Sequence, residues 1–143
     1  MSPVHEDADA AIALRHDRSE MQRLSDWIDR RVVALALTHA GAHAVRLCLE
    51  EAVLNIIMHN APPADPAATI RVWLGRSDGR LTARIEDACA PFDPLDVPAP
   101  AKVENLAAAP IGGLGIPLMR HFSSAMEYRR EHGMNRLVLQ FDD

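Results

Sequence analysis

The sequence predicts an α+β fold: a two-layer α/β sandwich whose mixed, largely antiparallel sheet carries its helices on one face. Three observations lead there. Ser77-Asp78-Gly79-Arg80 and Glu131-His132-Gly133-Met134 each sit between runs that read as strands, and such turns make antiparallel hairpins. The stretch from Ala42 to about Asn60 is apolar nearly all round, which marks a buried helix. The order β-α-α-β-β-loop-α-β-β gives the apolar helices a sheet to cover.

A chain of 143 residues fits one domain with one core. Residues 1–9 read as a loose polar tail and residues 10–143 as the domain. Hydrophobic residues make up 48% and charged residues 24%, an ordinary globular balance that speaks against a disordered chain. Aromatics are only 4%, too few rings for stacking along single-stranded nucleic acid. With a net charge of −5 and no basic stretch, a direct nucleic-acid partner is not expected. The first residues lack the basic and apolar segments of a signal peptide, and no apolar run is long enough to span a membrane. A cytoplasmic location without membrane contact is the expectation. Cys48 and Cys89 form no Cys-x-x-Cys pair, and Cys48 reads as a small core residue.

The elements follow in order. Ala10 to Arg15 is a short apolar run, the first strand. Ser19 is a fitting N-cap for a helix from Glu20 to about His39, with Met21, Leu24, Trp27, Ile28, Val32 and Leu35 at steps of three and four. Its arginines Arg23, Arg30 and Arg31 are candidates for an exposed partner surface. Gly41 ends this helix or starts the next. The second helix runs from Ala42 to about Asn60, where Ala61-Pro62-Pro63 stops it. Thr69 to Arg76 and Leu81 to Asp87 form the first hairpin. From Ala88 to Gly113 periodicity disappears, and Pro91, Pro94, Pro98, Pro100 and Pro110 interrupt the chain. A loop of this length in a small domain is commonly functional. Leu114 to Ser123 is a short helix. Met126 to Arg130 and Leu137 to Phe141 form the closing hairpin.

Three signals carry chemistry. Glu51, Asn55 and His59 lie at i, i+4 and i+8 on the second helix, one stripe drifting by about 40° per step. Polar groups on an apolar helix need a partner or a use, although a solvent-facing edge accounts for such a stripe equally well. Asp87 ends a strand and enters the long loop. It has the chemistry to accept a hydrogen bond from a ligand amino group, or to serve the turn alone. Gly112-Gly113-Leu114-Gly115 leads straight into a helix. Glycines let a backbone approach an anion at a helix N-terminus, and they also make plain flexible turns. The stretch is neither a Walker A loop nor a dinucleotide-binding fingerprint.

In this order and spacing the three stretches resemble the GHKL ATPase superfamily, and within it the RsbW/SpoIIAB-like anti-sigma-factor serine kinases. Glu50 to His59 (EEAVLNIIMH) resembles their N box, E-A-x-x-N-x-x-x-H. Ile85 to Pro94 (IEDACAPFDP) resembles the G1 box with its Pro-Phe-Asp-Pro tail, Ile111 to Arg120 (IGGLGIPLMR) the G2 box, and Glu127 to Leu139 the closing hairpin. The likeness runs from about residue 10 to 141. It implies the Bergerat ATP-binding fold, ATP and Mg²⁺ as cofactors, and a homodimer. By the same resemblance Glu51 is the general base that takes the substrate serine proton. Asn55 holds Mg²⁺, while His59 belongs to the cofactor-binding set. Asp87 reads the adenine amino group, and Gly113 and Gly115 let the lid and helix start meet the phosphates. Apart from the resemblance, Lys102, the chain's only lysine, falls in the lid and is a candidate phosphate contact, although a lid lysine is often just solvated. The implied function is an ATP-dependent serine-protein kinase that phosphorylates a STAS-domain anti-sigma factor antagonist and sequesters a sigma factor.

The chain departs from that pattern at two places. Cys89 stands where a glycine makes room beside the nucleotide, so its side chain is expected to narrow the pocket or push the loop outward. Asn135-Arg136-Leu137 stands where many members carry a threonine near the adenine. Cys89 therefore supports a rival reading, a non-catalytic binding module of the same fold. A histidine kinase's ATP-binding half would need a dimerising helix pair with a phospho-accepting histidine, and the first helix offers only His39 near its end.

Overall fold

The structure is a computed structural model describing residues 8–65, 69–93 and 115–143. Its regular elements are β1 (Ala11–Leu14), α1 (Met21–Ala34), α2 (His39–His59), β2 (Ile70–Ser77), β3 (Arg80–Asp87), α3 (Gly115–Phe122), β4 (Ala125–Glu131) and β5 (Met134–Phe141). The strands make one sheet in the order β1-β2-β3-β5-β4. All four pairings are antiparallel, so the parallel component of a mixed sheet is absent among the described residues. The connections explain this. Two helices return the chain after β1, so β2 runs against it. β3 and β4 run the same way, but β5 lies between them and keeps them from pairing. Both hairpins turn on two residues with positive φ: Asp78 (53°) and Gly79 (77°), then His132 (52°) and Gly133 (74°). That pair of angles matches the right-handed twist of the flanking strands.

The start of α1 differs from the expected cap. Ser19 sits inside a short 3-10 turn, Arg18–Glu20, and donates its N–H to Asp17 Oδ1 at 3.0 Å, so Asp17 caps that turn, while Glu20 at the start of α1 makes no side-chain cap bond. The extra turn moves the cap two residues back. The helix also ends earlier than its periodicity suggests. Ala36 takes φ 51°, its N–H bonds Val33 O at 3.1 Å, and Leu37 N–H bonds Val32 O at 3.2 Å. These are the closing bonds of a left-handed helix cap, formed here without the usual glycine. Thr38 then caps α2 by accepting the Gly41 N–H at 3.0 Å, which places Gly41 in the first turn of α2.

The core lies between one face of the sheet and the helices. From α2, Val45, Cys48, Leu49, Ala52, Val53 and Ile56 are buried, and α1 adds Leu24, Trp27 and Ile28. The Trp27 indole N–H reaches Asp9 O at 2.7 Å, so its polar end is satisfied. Leu49 is fully buried at the middle of this layer, and truncating such a leucine to alanine costs about 2–5 kcal/mol. Arg31 does not join the exposed arginines. It is 3% exposed and donates from Nε and Nη2 to Leu74 O at 3.2 and 2.8 Å, tying α1 to β2. Its position one turn beyond Trp27 and Ile28 turns it toward the sheet. Arg23 and Arg30 do remain largely exposed. No helix among the described residues is long and apolar enough to cross a membrane.

Candidate functional site

A hollow opens between the sheet and the α2/α3 layer. Strand register builds its floor. Ile85, Leu137 and Tyr128 lie side by side across β3, β5 and β4, and the next row on the same face is Asp87, Asn135 and Arg130. Ala52, Asn55 and Ile56 of α2 and Met119 of α3 form the walls, with Asn60 and Phe92 completing the lining. The result is an apolar slot with a polar end, a shape suited to a flat heterocycle with one hydrogen-bonding edge.

The polar end is tightly held. Asp87 is 4% exposed, and its Oδ1 accepts from Cys89 N and Asn135 Nδ2, both at 3.0 Å. Asn135, also 4% exposed, sends Nδ2 to Ala90 O at 3.0 Å and Cys89 O at 3.3 Å. Its Oδ1 accepts from the Tyr128 hydroxyl at 2.5 Å and from Arg130 Nη1 at 3.1 Å. Arg130 Nη1 also donates to Cys89 O at 2.7 Å. The Cys89 thiol lies in the core at 2% exposure and is not part of the pocket lining. Burial, then the neighbouring Asp87 charge and the hydrogen bond with it, push that thiol up to about 11. The expected narrowing of the pocket by Cys89 is therefore not found. Its backbone carbonyl accepts from Arg130 and Asn135, and its buried thiol lies against the Asp87 carboxylate at the polar end of the slot.

The stripe on α2 does not converge on one place. Asn55 lines the slot, whereas Glu51 lines a neighbouring hollow with Arg18, Met21, Glu50 and Leu54. His59 is exposed at the last position of the helix and lies outside the slot lining. A helix advances by about 100° per residue, so Ala52, Ile56 and Asn60 make the row facing the slot and Asn55 stands at its border with the Glu51 row. Glu51 is half-buried, and its carboxyl is raised above the usual range first by burial and then by the Glu50 charge. Gly115 opens α3, and Gly113 and Lys102 lie outside the described residues.

The Histidine kinase-like ATPase domain model matches residues 13–141. The chain belongs to the histidine kinase-like ATPase domain family. A serine/threonine-protein kinase, BtrW of Bordetella bronchiseptica, is 39% identical over 93 residues, which cover 65% of each chain. The match thus spans just under two thirds of that relative's length. The crystal structure of the RsbU and RsbW domains of Rv1364c from Mycobacterium tuberculosis is similar in fold. Its TM-score is 0.64 at 14% identity, over 92% of this chain and 31% of that one.

Within this family member, sequence reasoning passed over Tyr128, Arg130, Met119 and Asn60 at the slot. Tyr128 was legible in principle: it is the chain's only tyrosine, on a strand that alternates. Asn135 stood out only as a departure from the family pattern. Its bonds to Asp87 and Ala90 join residues 48 and 45 positions apart, which no local pattern reveals.

Proposed function

We propose that this chain is an ATP-dependent serine-protein kinase of a partner-switching module. In that reading it phosphorylates a STAS-domain anti-sigma factor antagonist, sequesters a sigma factor, and works as a homodimer in the cytoplasm. The observation that carries it is the slot itself: an apolar floor of Ile85 and Leu137 ending at a buried, fixed Asp87 carboxylate. Adenine has that pattern in mirror image, a flat ring with a donating amino group at one edge. The named kinase activity of the Bordetella relative supports the phosphotransfer half of the reading.

The remaining roles are those the family resemblance implies, and the chemistry of the residues suits them. The Asn55 amide oxygen suits Mg²⁺, a hard cation that prefers oxygen and commonly takes most of its ligands from phosphates and water. No three His, Cys, Asp or Glu side chains gather into a cage among the described residues, so the nucleotide would supply the rest. Mg²⁺ would neutralise phosphate charge during transfer. Glu51, in its own hollow beside α1, accepts the serine proton as the hydroxyl oxygen attacks the γ-phosphorus and ADP leaves. A carboxylate raised by burial is a better base than an ordinary one. Gly115, at the start of α3, would serve the phosphates in this reading, and Gly113, Lys102 and His59 are assigned to the nucleotide by the family resemblance alone. The binding-module reading rests on Cys89, whose thiol is buried beside Asp87 and does not itself line the slot.

The test is transfer of labelled γ-phosphate to a STAS-domain antagonist by wild type and Glu51→Ala. Transfer by wild type that falls at least about 100-fold in the variant is expected. Equal transfer by both overturns the base assignment, and nucleotide binding without transfer favours a contact regulator.

A further inference from the structure

We infer that Asn135 is a positioning residue that sets the preference for 6-amino over 6-oxo purines, an inference that rests on the nucleotide reading above. Asp87 alone does not fix its carboxylate plane, because rotation about the last bond of an aspartate is only weakly restricted. The Cys89 N–H holds Oδ1 from the adjoining backbone, and Asn135 adds the second restraint on the same oxygen from directly across the strand pair.

The inventory of the Asn135 carboxamide shows why it acts as a clamp and not as a reader. Its oxygen has two acceptor positions, filled by Tyr128 Oη and Arg130 Nη1. Its nitrogen has two hydrogens, facing Asp87 Oδ1, Ala90 O and Cys89 O. Nothing is left over for a ligand. The side chain instead joins β4, β5 and the segment leaving β3 around one carboxylate. A threonine here has one O–H donor and two acceptor positions on a single atom, so it cannot replace both ends of the carboxamide. With the plane fixed, Asp87 presents an acceptor to the slot. It accepts from the amino group of adenine and repels the carbonyl oxygen of hypoxanthine at the same position.

Calorimetric titration of ATP and inosine triphosphate with Mg²⁺ tests this on wild type, Asn135→Ala, Asn135→Thr and Tyr128→Phe. Wild type is expected to prefer ATP by about 10-fold or more, the worth of a hydrogen bond to a charged group. Asn135→Ala should weaken ATP about 10-fold and change inosine triphosphate by less than about 2-fold, so the preference collapses. Asn135→Thr should restore part of it. Tyr128→Phe removes one tether of the clamp and should shift the ratio the same way by about 3-fold; it decides the matter if the alanine variant does not fold. A parallel loss for both nucleotides, or an unchanged ratio in the folded variants, overturns the clamp and leaves the ATP reading standing. Wild type that binds neither nucleotide overturns both.

Discussion

Asp87 and Asn135 are direct partners across the β3–β5 pairing, and the Asn135 carboxamide donates to Asp87 Oδ1 at 3.0 Å. Structure and recognition therefore share one carboxylate, and two substitutions separate them. Asp87→Ala leaves the buried Cys89 N–H without its acceptor and takes one of the three acceptors facing Asn135 Nδ2, a loss of about 1–3 kcal/mol. Asp87→Asn keeps an acceptor oxygen for both donors and should recover most of that stability. It replaces the ligand-facing acceptor with a donor and should still bind ATP poorly. Thermal denaturation beside nucleotide titration checks the split; equal stability of the two variants would contradict it.

Glu51 carries a pH signature. Its carboxyl is raised by burial first and by Glu50 second. A general base works only when deprotonated, so transfer should fall as pH drops, with a midpoint above the ordinary value of 4.5. Glu50→Gln removes the second cause and should move that midpoint toward lower pH. A rate profile of wild type and variant reads the shift, and a midpoint unmoved by Glu50→Gln would show that burial alone sets it.

Cys89→Gly removes the side chain at the position where the resemblance leads one to expect glycine. Because the thiol is buried in the core, the substitution should destabilise by about 1–3 kcal/mol through lost packing and added backbone freedom. ATP affinity should not rise. Denaturant unfolding and titration together check this, and a more tightly binding Cys89→Gly protein would mean that the side chain does intrude on the slot.

Glu20 links the end of β1 to α1 and should show at acid pH. It accepts from Arg23 Nη2 at 2.7 Å and Arg15 N at 3.0 Å, and these bonds, Arg23 first, hold its carboxyl down to about 2 from 4.5. A depressed folded-state value stabilises the protein above the unfolded value, and that stabilisation is lost as pH falls from 4.5 toward 2. Both arginine side chains are more than half exposed, so solvent screens the pairs. Glu20→Gln should lose about 1 kcal/mol near neutrality. The gap to wild type should close between pH 4.5 and 2, read from melting temperatures across that range; a gap constant with pH would contradict the assignment.

The layers of the fold were legible because their signals are local. Asp78-Gly79 and His132-Gly133 adopt the positive φ pairs that their hairpins need, and α2 is buried as its composition requires. Boundaries went astray where local chemistry was atypical, as at Ala36, a left-handed helix cap without glycine. Arg31 was read as surface because of its charge, and only the position of Leu74 O shows why it is inside. At the site, Glu51, Asn55 and Asp87 could be picked out as polar residues in apolar surroundings. The division of the α2 stripe between two hollows could not, because it depends on where β3 and α1 flank the helix. Nor could the burial of the Cys89 thiol beside Asp87, which is accompanied by bonds from Arg130 and Asn135 to its carbonyl, both from the far hairpin.

The central claim is that the slot between α2 and the β3–β5 strands is an adenine site read by Asp87. Calorimetric titration of ATP into wild type and Asp87→Asn, with and without Mg²⁺, tests it most directly. Micromolar, Mg²⁺-dependent binding by wild type that weakens at least about 10-fold in a folded Asp87→Asn protein is the predicted result. Wild type that stays unbound at millimolar ATP, or a folded Asp87→Asn protein that binds as well as wild type, would contradict it.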